Sequence, residues 1–442
     1  MKSHNAAWRL AAAVIPAIIL LCAVVLPTSS IAAPNGSYNN SSEDLNTVTH
    51  LLDTWSGQTE LLDQAHGILD RIIKNDPQNV FALKELARYE LDAGYINSRY
   101  VTFRSNRYTV GNFEPGTLER AEATIRTALR IKPNFAEGYV YLGYIQFEQT
   151  KLVDAEISLQ YAEHLGTTDP WLDLNWAEIL QAKGDYAAAQ QRWEKALRRS
   201  GLSSKARLAA YDYLIESYKR SGEHKKAVNL YRKAIEEYPS NAWIRGNFAA
   251  YLSEVLGRHD EAIKQARAAL TVMDYGVGEQ TLAMALYRKW ANMIAHGKDK
   301  NGERYFSEAQ QIRPDLNEVM AYGASLPSGR ELANALIKKG VSVDSRAEDG
   351  STALLIATNR NSAEVVHFLL GLKANTNVPD NSGWTPLLSA ADEGNAELVR
   401  LLLAHGADIK ATWGGMDAAA LANRKGYTQL AAELKGRATG AR

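Results

Sequence analysis

Leu208 to Asn241 reads LAAYDYLIESYKRSGEHKKAVNLYRKAIEEYPSN. Two helical periods stand on either side of the Ser221-Gly222 break. Tyr211, Leu214 and Tyr218 precede it, and Ala227, Tyr231 and Ala234 follow it. Spacings of three, four and seven put one apolar stripe on each helix. Pro239 ends the second helix, because proline has no amide hydrogen and bars the residue before it from helical geometry.

The same arrangement recurs upstream. Ala121, Ala155 and Ala189 are 34 residues apart, and so are Ala128, Ala162 and Ala196. Ile125, Leu159 and Trp193 stand between the paired alanines. The small residue lets helices approach closely and the large one fills the groove between them. Pro77 and Pro133 close second helices as Pro239 does. This pattern resembles the tetratricopeptide repeat, a helix–turn–helix unit of about 34 residues. Units fall at about 46–79, 80–135, 136–169, 170–203, 208–241 and 242–276, with a degenerate one at 278–315. The 170–203 unit carries Trp176, Ala177, Gly184, Ala189 and Ala196. The 242 unit needs an extra residue before Ala262, and the last has Gly302 where alanine is usual.

A second period begins after Asn317. Thr352-Ala353-Leu354 and Thr385-Pro386-Leu387 are 33 residues apart, as are Gly350 and Gly383, Ala357 and Ala390, and Leu370 and Leu403. The core Thr385-Pro386-Leu387-Leu388-Ser389-Ala390 resembles the ankyrin repeat, a β-turn followed by two helices. Units run at about 350–382 and 383–414, after a partial one made of Glu318–Leu326 and Glu331–Gly340. The last, Gly415 to Gly436, has Asp417-Ala418-Ala419 in place of Thr-Pro-Leu. The expected fold is therefore all-α: a tetratricopeptide superhelical solenoid at 46–315, then a short ankyrin-repeat solenoid at 316–437 and a tail at 438–442. The short junction from Asp315 to Gly329 predicts that the two arrays dock end to end.

The N-terminus reads as an address. Lys2 and Arg9 precede an apolar run from Leu10 to Leu26, followed by Pro27-Thr28-Ser29-Ser30-Ile31-Ala32-Ala33. Small residues there suit signal-peptidase cleavage after about residue 33. An uncleaved anchor is the other reading, since 17 apolar residues lie at the short limit for crossing a bilayer. A flexible segment at 34–45 follows. The cysteine is Cys22, inside that run, so a cleaved chain has no thiol for a disulfide, a zinc site or a nucleophile. Export through the general pathway, to a periplasm in a bacterium, is the expected localisation.

Composition narrows the functions. The 442 residues are 46% apolar, and 50 Lys and Arg balance 50 Asp and Glu. No net field argues for nucleic acid or an anionic membrane as partner. The nine histidines are scattered, without the i,i+4 pair and intervening glutamate of a helical zinc site. His405 reads as a structural brace. No nucleophile elbow, phosphate loop or dinucleotide fingerprint stands in the chain. Adjacent acids such as Asp260-Glu261 diverge by about 100° on a helix and do not converge as an acid–base pair. The reading is a non-enzymatic interaction scaffold or adaptor with no cofactor and no metal, holding protein or peptide partners. The alternatives are an inhibitor or immunity protein of an envelope enzyme or toxin, and an accessory subunit of polysaccharide or envelope assembly.

The resemblance implies where partners sit. First helices of tetratricopeptide units line a concave groove, and here these positions include Lys84, Arg88, Tyr144, Phe147, Trp171, Glu178, Asp212, Glu216 and Trp243. Lys84 and Arg88 do not reproduce the Lys–Asn carboxylate clamp of some family members. The second repeat carries 22 extra residues at about 95–116. Alternation on either side of Ser105-Asn106 predicts a β-hairpin. It bears Arg99, Tyr100, Phe103, Arg104, Arg107 and Tyr108, and either binds a partner or plugs the groove. At the ankyrin tips, Trp384 and Trp413 are candidate anchors.

Overall fold

The structure is a computed structural model that describes residues 41–55, 57–103, 106–199 and 202–440. For residues 41, 98–100, 102–103, 106–109, 205 and 299 it describes the backbone alone. The expected address at 1–33 and most of the 34–45 segment lie outside the described residues. The chain is a helical repeat solenoid, and its contacts divide it into two compact units, one ending at Ala234 and the other beginning at Ile235.

In the first unit the order is α1 (Ser41–Thr54), α2 (Thr59–Asn75), α3 (Val80–Gly94), β1 (Tyr95–Phe103), β2 (Asn106–Phe113), α4 (Thr117–Ile131), α5 (Ala136–Glu148), α6 (Leu152–His164), α7 (Trp171–Lys183), α8 (Tyr186–Arg198), α9 (Ser204–Arg220) and α10 (His224–Glu237). Each helix packs on the next as antiparallel pairs. The repeating alanines explain how. Ala121, Ala128, Ala155, Ala162, Ala189, Ala196, Ala227 and Ala234 are all fully buried, as are Ile125, Leu159 and Trp193 between them. Caps fix the starts of first helices: Asn79 accepts from the Ala82 amide and Ser203 from that of Ala206.

The hairpin leaves the solenoid at Gly94 and returns at Thr117. These two backbones lie so close that a Cβ on Gly94 would sit 2.2 Å from Thr117 Oγ1. The Glu114 amide donates to Gly94 O at 2.8 Å, which closes the base. Gly116, at φ +85°, makes the left-handed turn into α4. β1 and β2 pair antiparallel, from Phe103 opposite Asn106 to Tyr95 opposite Phe113.

The second unit continues with α11 (Ala242–Glu254), α12 (His259–Val272), α13 (Gly276–Ala295), α14 (Asp299–Ile312) and α15 (Leu316–Gly323). A 3-10 turn at Pro327–Gly329 leads to α16 (Arg330–Lys338). Then come α17 (Ala353–Asn359), α18 (Ala363–Gly371), α19 (Pro386–Asp392), α20 (Ala396–Ala404), β3 (Thr412–Trp413), β4 (Met416–Asp417), α21 (Ala418–Arg424) and α22 (Thr428–Ala438). Thr352, Thr385 and Asp417 cap α17, α19 and α21 through their side chains, so the aspartate performs the threonine's task in the degenerate last unit. His405 Nδ1 lies 2.9 Å from Leu401 O, a brace at the end of α20.

Within this unit the two repeat types share one packed junction. α13 lies against α16. Trp290 is 1% exposed, and Lys339 Nζ stands 4.2 Å from the centre of the neighbouring Phe306 ring. The Asn292 amide group donates to Glu331 Oε2 at 3.0 Å. A Cβ on Gly323 would meet Leu332 Cδ2 at 2.5 Å and Met284 Cε at 2.9 Å, so glycine there permits the contact.

Candidate functional site

The first helices of four successive repeats bring ionisable side chains to one inner surface of the first unit. α3 contributes Arg88 and Asp92, α5 contributes Tyr141, Tyr144 and Glu148, α7 contributes Glu178, and α9 contributes Asp212 and Tyr213. α1 also touches α9, so the inner surface is enclosed by the turn of the solenoid.

Packing behind this surface sets its geometry. Trp193 on α8 is fully buried, and its ring stacks on that of Tyr213 with centroids 5.8 Å apart and planes 8° from parallel. That contact holds the Tyr213 hydroxyl toward Glu178, to which it hydrogen-bonds. Asp173 is wholly buried one turn earlier in α7 and anchors Arg192, Lys195 and Arg199 at 2.9, 3.1 and 2.7 Å. These three cations are therefore committed to the wall between α7 and α8.

The electrostatics follow from this placement. Burial pushes the Glu178 carboxyl up to about 8; the nearby Glu148 adds to the rise and the Tyr213 hydroxyl opposes it. Burial also pushes Asp212 up to about 7, partly offset by Lys219. Asp212 is nevertheless reached by solvent. Burial, with Glu148 and Glu178 respectively, raises the Tyr144 and Tyr213 hydroxyls well above their ordinary range. At α3, burial acts to lower Arg88, but Asp92, Glu85 and Asp53 outweigh it and raise it overall. Its Nη2 donates to Asp53 Oδ1 at 2.7 Å, so Arg88 clasps α1 to α3.

The hairpin packs across α5 and α7. Val110 is 2% exposed in a core with Val140, Phe147 and Trp176. The Gly111 amide donates to Glu148 Oε2 at 2.5 Å. Arg104 lies outside the described residues, and for Arg99, Tyr100, Phe103, Arg107 and Tyr108 only the strand backbone is described.

The residues expected in the groove divide into groups. Tyr144, Glu178 and Asp212 meet on the inner surface, joined by Tyr213, which the sequence reading passed over. Phe147 is corrected: it is 3% exposed and belongs to the core. Trp171 is half-buried against the same core at the start of α7. Glu216 spends its charge along its own helix, on Lys219 at 2.7 Å and Arg220 at 3.3 Å. Lys84 pairs with the buried Glu85 at 2.8 Å. Trp243, in the second unit, packs on Tyr275 with ring centres 5.0 Å apart. Trp384 and Trp413 meet edge to face at 4.9 Å and 88°, both half-exposed at adjacent ankyrin tips. Tyr213 had one readable signal, its place next to Asp212 in a first helix.

Among the described residues no group of three or more His, Cys, Asp or Glu side chains has metal-holding geometry. No described helix is long and apolar enough to cross a membrane.

Comparison with known proteins agrees with the architecture. The family model for ankyrin repeats matches residues 321–412, and that for the tetratricopeptide repeat matches residues 208–252. A curated relative, the TPR repeat-containing protein YpiA of Bacillus subtilis (strain 168), is 23% identical over 235 residues, covering 46% of this chain and 53% of that protein. The chain thus spans about half the length of the relative it matches. The chain is similar to tetratricopeptide-repeat and ankyrin-repeat proteins, whose repeats typically mediate protein–protein interaction and are typically non-enzymatic.

Proposed function

We propose that the chain is an exported, non-catalytic adaptor whose first unit receives a partner segment on the inner surface of its first helices. One observation carries this reading: Tyr144, Glu178, Asp212 and Tyr213, from three successive repeats, converge beneath the hairpin. Aromatic hydroxyls and carboxyls in a concavity offer both stacking area and hydrogen bonds, which suits a peptide carrying amine or guanidinium groups. The hairpin, which packs on α5 and α7, borders this surface. The ankyrin tips, with Trp384 and Trp413, form a second contact area. Linking two such areas in one chain raises the effective concentration of one partner near the other. The charged start, apolar run and small residues of 1–33 support export.

The test is site-specific photocrosslinking in the native host. A photoreactive residue replacing Asp212 captures a discrete partner, and one replacing the exposed Gln191 on a second helix does not. Equal capture from both positions, or capture from Gln191 alone, would sink the inner-surface reading. N-terminal sequencing of the same material tests export. A chain still beginning at Met1 contradicts cleavage.

A further inference from the structure

Arg288 is a buried charge of the second unit with no carboxylate at hydrogen-bond distance. It lies on α13, its side chain is 2% exposed, and the nearest carboxylate oxygen is Glu254 Oε1 at 3.9 Å from Nη1. That distance is beyond a hydrogen bond. Its Nε is buried and has no partner. A guanidinium carries five N–H donors in a fixed fork, and burying its Nε–H without an acceptor is unfavourable.

The surroundings add donors and no second carboxylate. Arg360, in the turn after α17, is close enough that the two guanidinium groups repel. Its Nη1 donates to Ser325 Oγ at 2.9 Å, and Ser325 is itself 1% exposed. Ser328 Oγ is buried without a partner, on the 3-10 turn that packs against α11. Glu254, at the end of α11, is 40% exposed and serves both arginines at a distance. His259 stands alongside and is held neutral, because burial and the charges of Arg288 and Lys289 push it down to about 4. Lys289 turns away to Asp260 at 2.7 Å. The place therefore has an excess of positive charge, a buried Arg288 Nε–H without an acceptor, and a solvent edge at Glu254 and the exposed Val255.

We propose that Arg288 and Arg360 form a binding site for a small oxyanion at the junction of the two repeat arrays. A phosphate or carboxylate group supplies what the Arg288 guanidinium lacks, acceptors in the planar spacing of the fork, and can be shared with the free edge of Arg360. The site joins a residue of the last tetratricopeptide helices to one of the first complete ankyrin unit, so the anion ties the junction together. A ligand that binds the folded form alone stabilises it by mass action.

The experiment is thermal unfolding and calorimetric titration of the intact protein with inorganic phosphate and, separately, succinate. Chloride holds the ionic strength constant. Wild type shows a rise in Tm on the order of 4 °C in phosphate or succinate relative to chloride, with saturable heat. The arm that responds identifies the phosphate or carboxylate source. Arg288→Met removes an unpaired buried charge, so it folds with an unchanged or higher Tm in chloride and loses the anion response. Arg360→Lys keeps the charge but not the fork, and weakens the response at least tenfold in affinity. No anion-specific rise in wild type, or the same rise in both variants, overturns the proposal. If Arg288→Met fails to fold, Arg360→Lys decides alone.

Discussion

The Gly111 amide donates to Glu148 Oε2 at 2.5 Å, and this bond joins the inserted hairpin to the first helix of the next repeat. Glu148 is 6% exposed, so its carboxylate sits where water does not compete freely. Glycine is needed at the donor, because a Cβ on Gly111 would lie 2.4 Å from the Phe113 ring. The inserted strand is thus seated as part of the wall.

Removing the acceptor leaves the Gly111 amide unsatisfied. Glu148→Ala is expected to cost about 1–3 kcal/mol of stability. It should also speed amide exchange at Val110 to Phe113 ahead of the helices. Exchange that stays as slow as in α5 would mean the hairpin is held by Val110 and its neighbours without this bond.

Glu178 makes stability depend on pH in a direction opposite to that of most carboxylates. Its folded value is about 8 against an ordinary 4.5, so the folded state holds more protons between those limits. Its contribution is fully present below about 4.5 and is lost as pH rises toward about 8. Glu178→Gln cannot ionise and removes this loss. Urea midpoints at about pH 5.5 and about pH 8 should fall more for wild type than for the variant; equal falls would show that Glu178 titrates normally.

The junction is held by Trp290, which is 1% exposed between α14 and α16 and beneath Lys339. Trp290→Ala is expected to destabilise by about 3–5 kcal/mol, since a large ring is lost from a close-packed site. Proteolysis near 313–330 should appear first. Cleavage confined to 437–440 would show that the junction does not depend on this ring.

At the ankyrin tips, Trp384 and Trp413 shield each other edge to face. Trp413→Ala should uncover Trp384 and shift its fluorescence to the red while circular dichroism stays unchanged. The pair replaced together by alanine should weaken any partner bound there by about 2 kcal/mol or more, the scale of an aromatic anchor. Unchanged affinity would assign both rings to shielding the end of the array.

The helical repeat fold was legible because its determinants are small buried residues at fixed spacing. Ala121, Ala155 and Ala189 are each fully buried, and no other residue type fits such close helix contacts as well. The inner surface was only partly legible. α5 buries Val140, Leu142, Ile145, Phe147 and Glu148, which together run around most of its circumference. The neighbouring helices and the hairpin cover it on several sides, so no single apolar stripe marked which residue faced inward. Phe147 was expected in the groove for that reason and lies in the core. Glu148 and Tyr213 went unnoticed because their roles come from partners far along the chain, Gly111 and Trp193. Arg288 gave no signal, since only folding removes its water and withholds its partner.

The inner surface of the first unit is the proposed place where a partner is held. Its decisive check is the affinity of the photocrosslinked partner for the triple variant Tyr144→Ala, Glu178→Ala and Tyr213→Ala. The comparison proteins are wild type and the tip variant Trp384→Ala, Trp413→Ala, each with its helical content verified. The account predicts a loss of at least a hundredfold, about 2.7 kcal/mol, in the triple variant and a smaller loss in the tip variant. Wild-type affinity in the folded triple variant would contradict it.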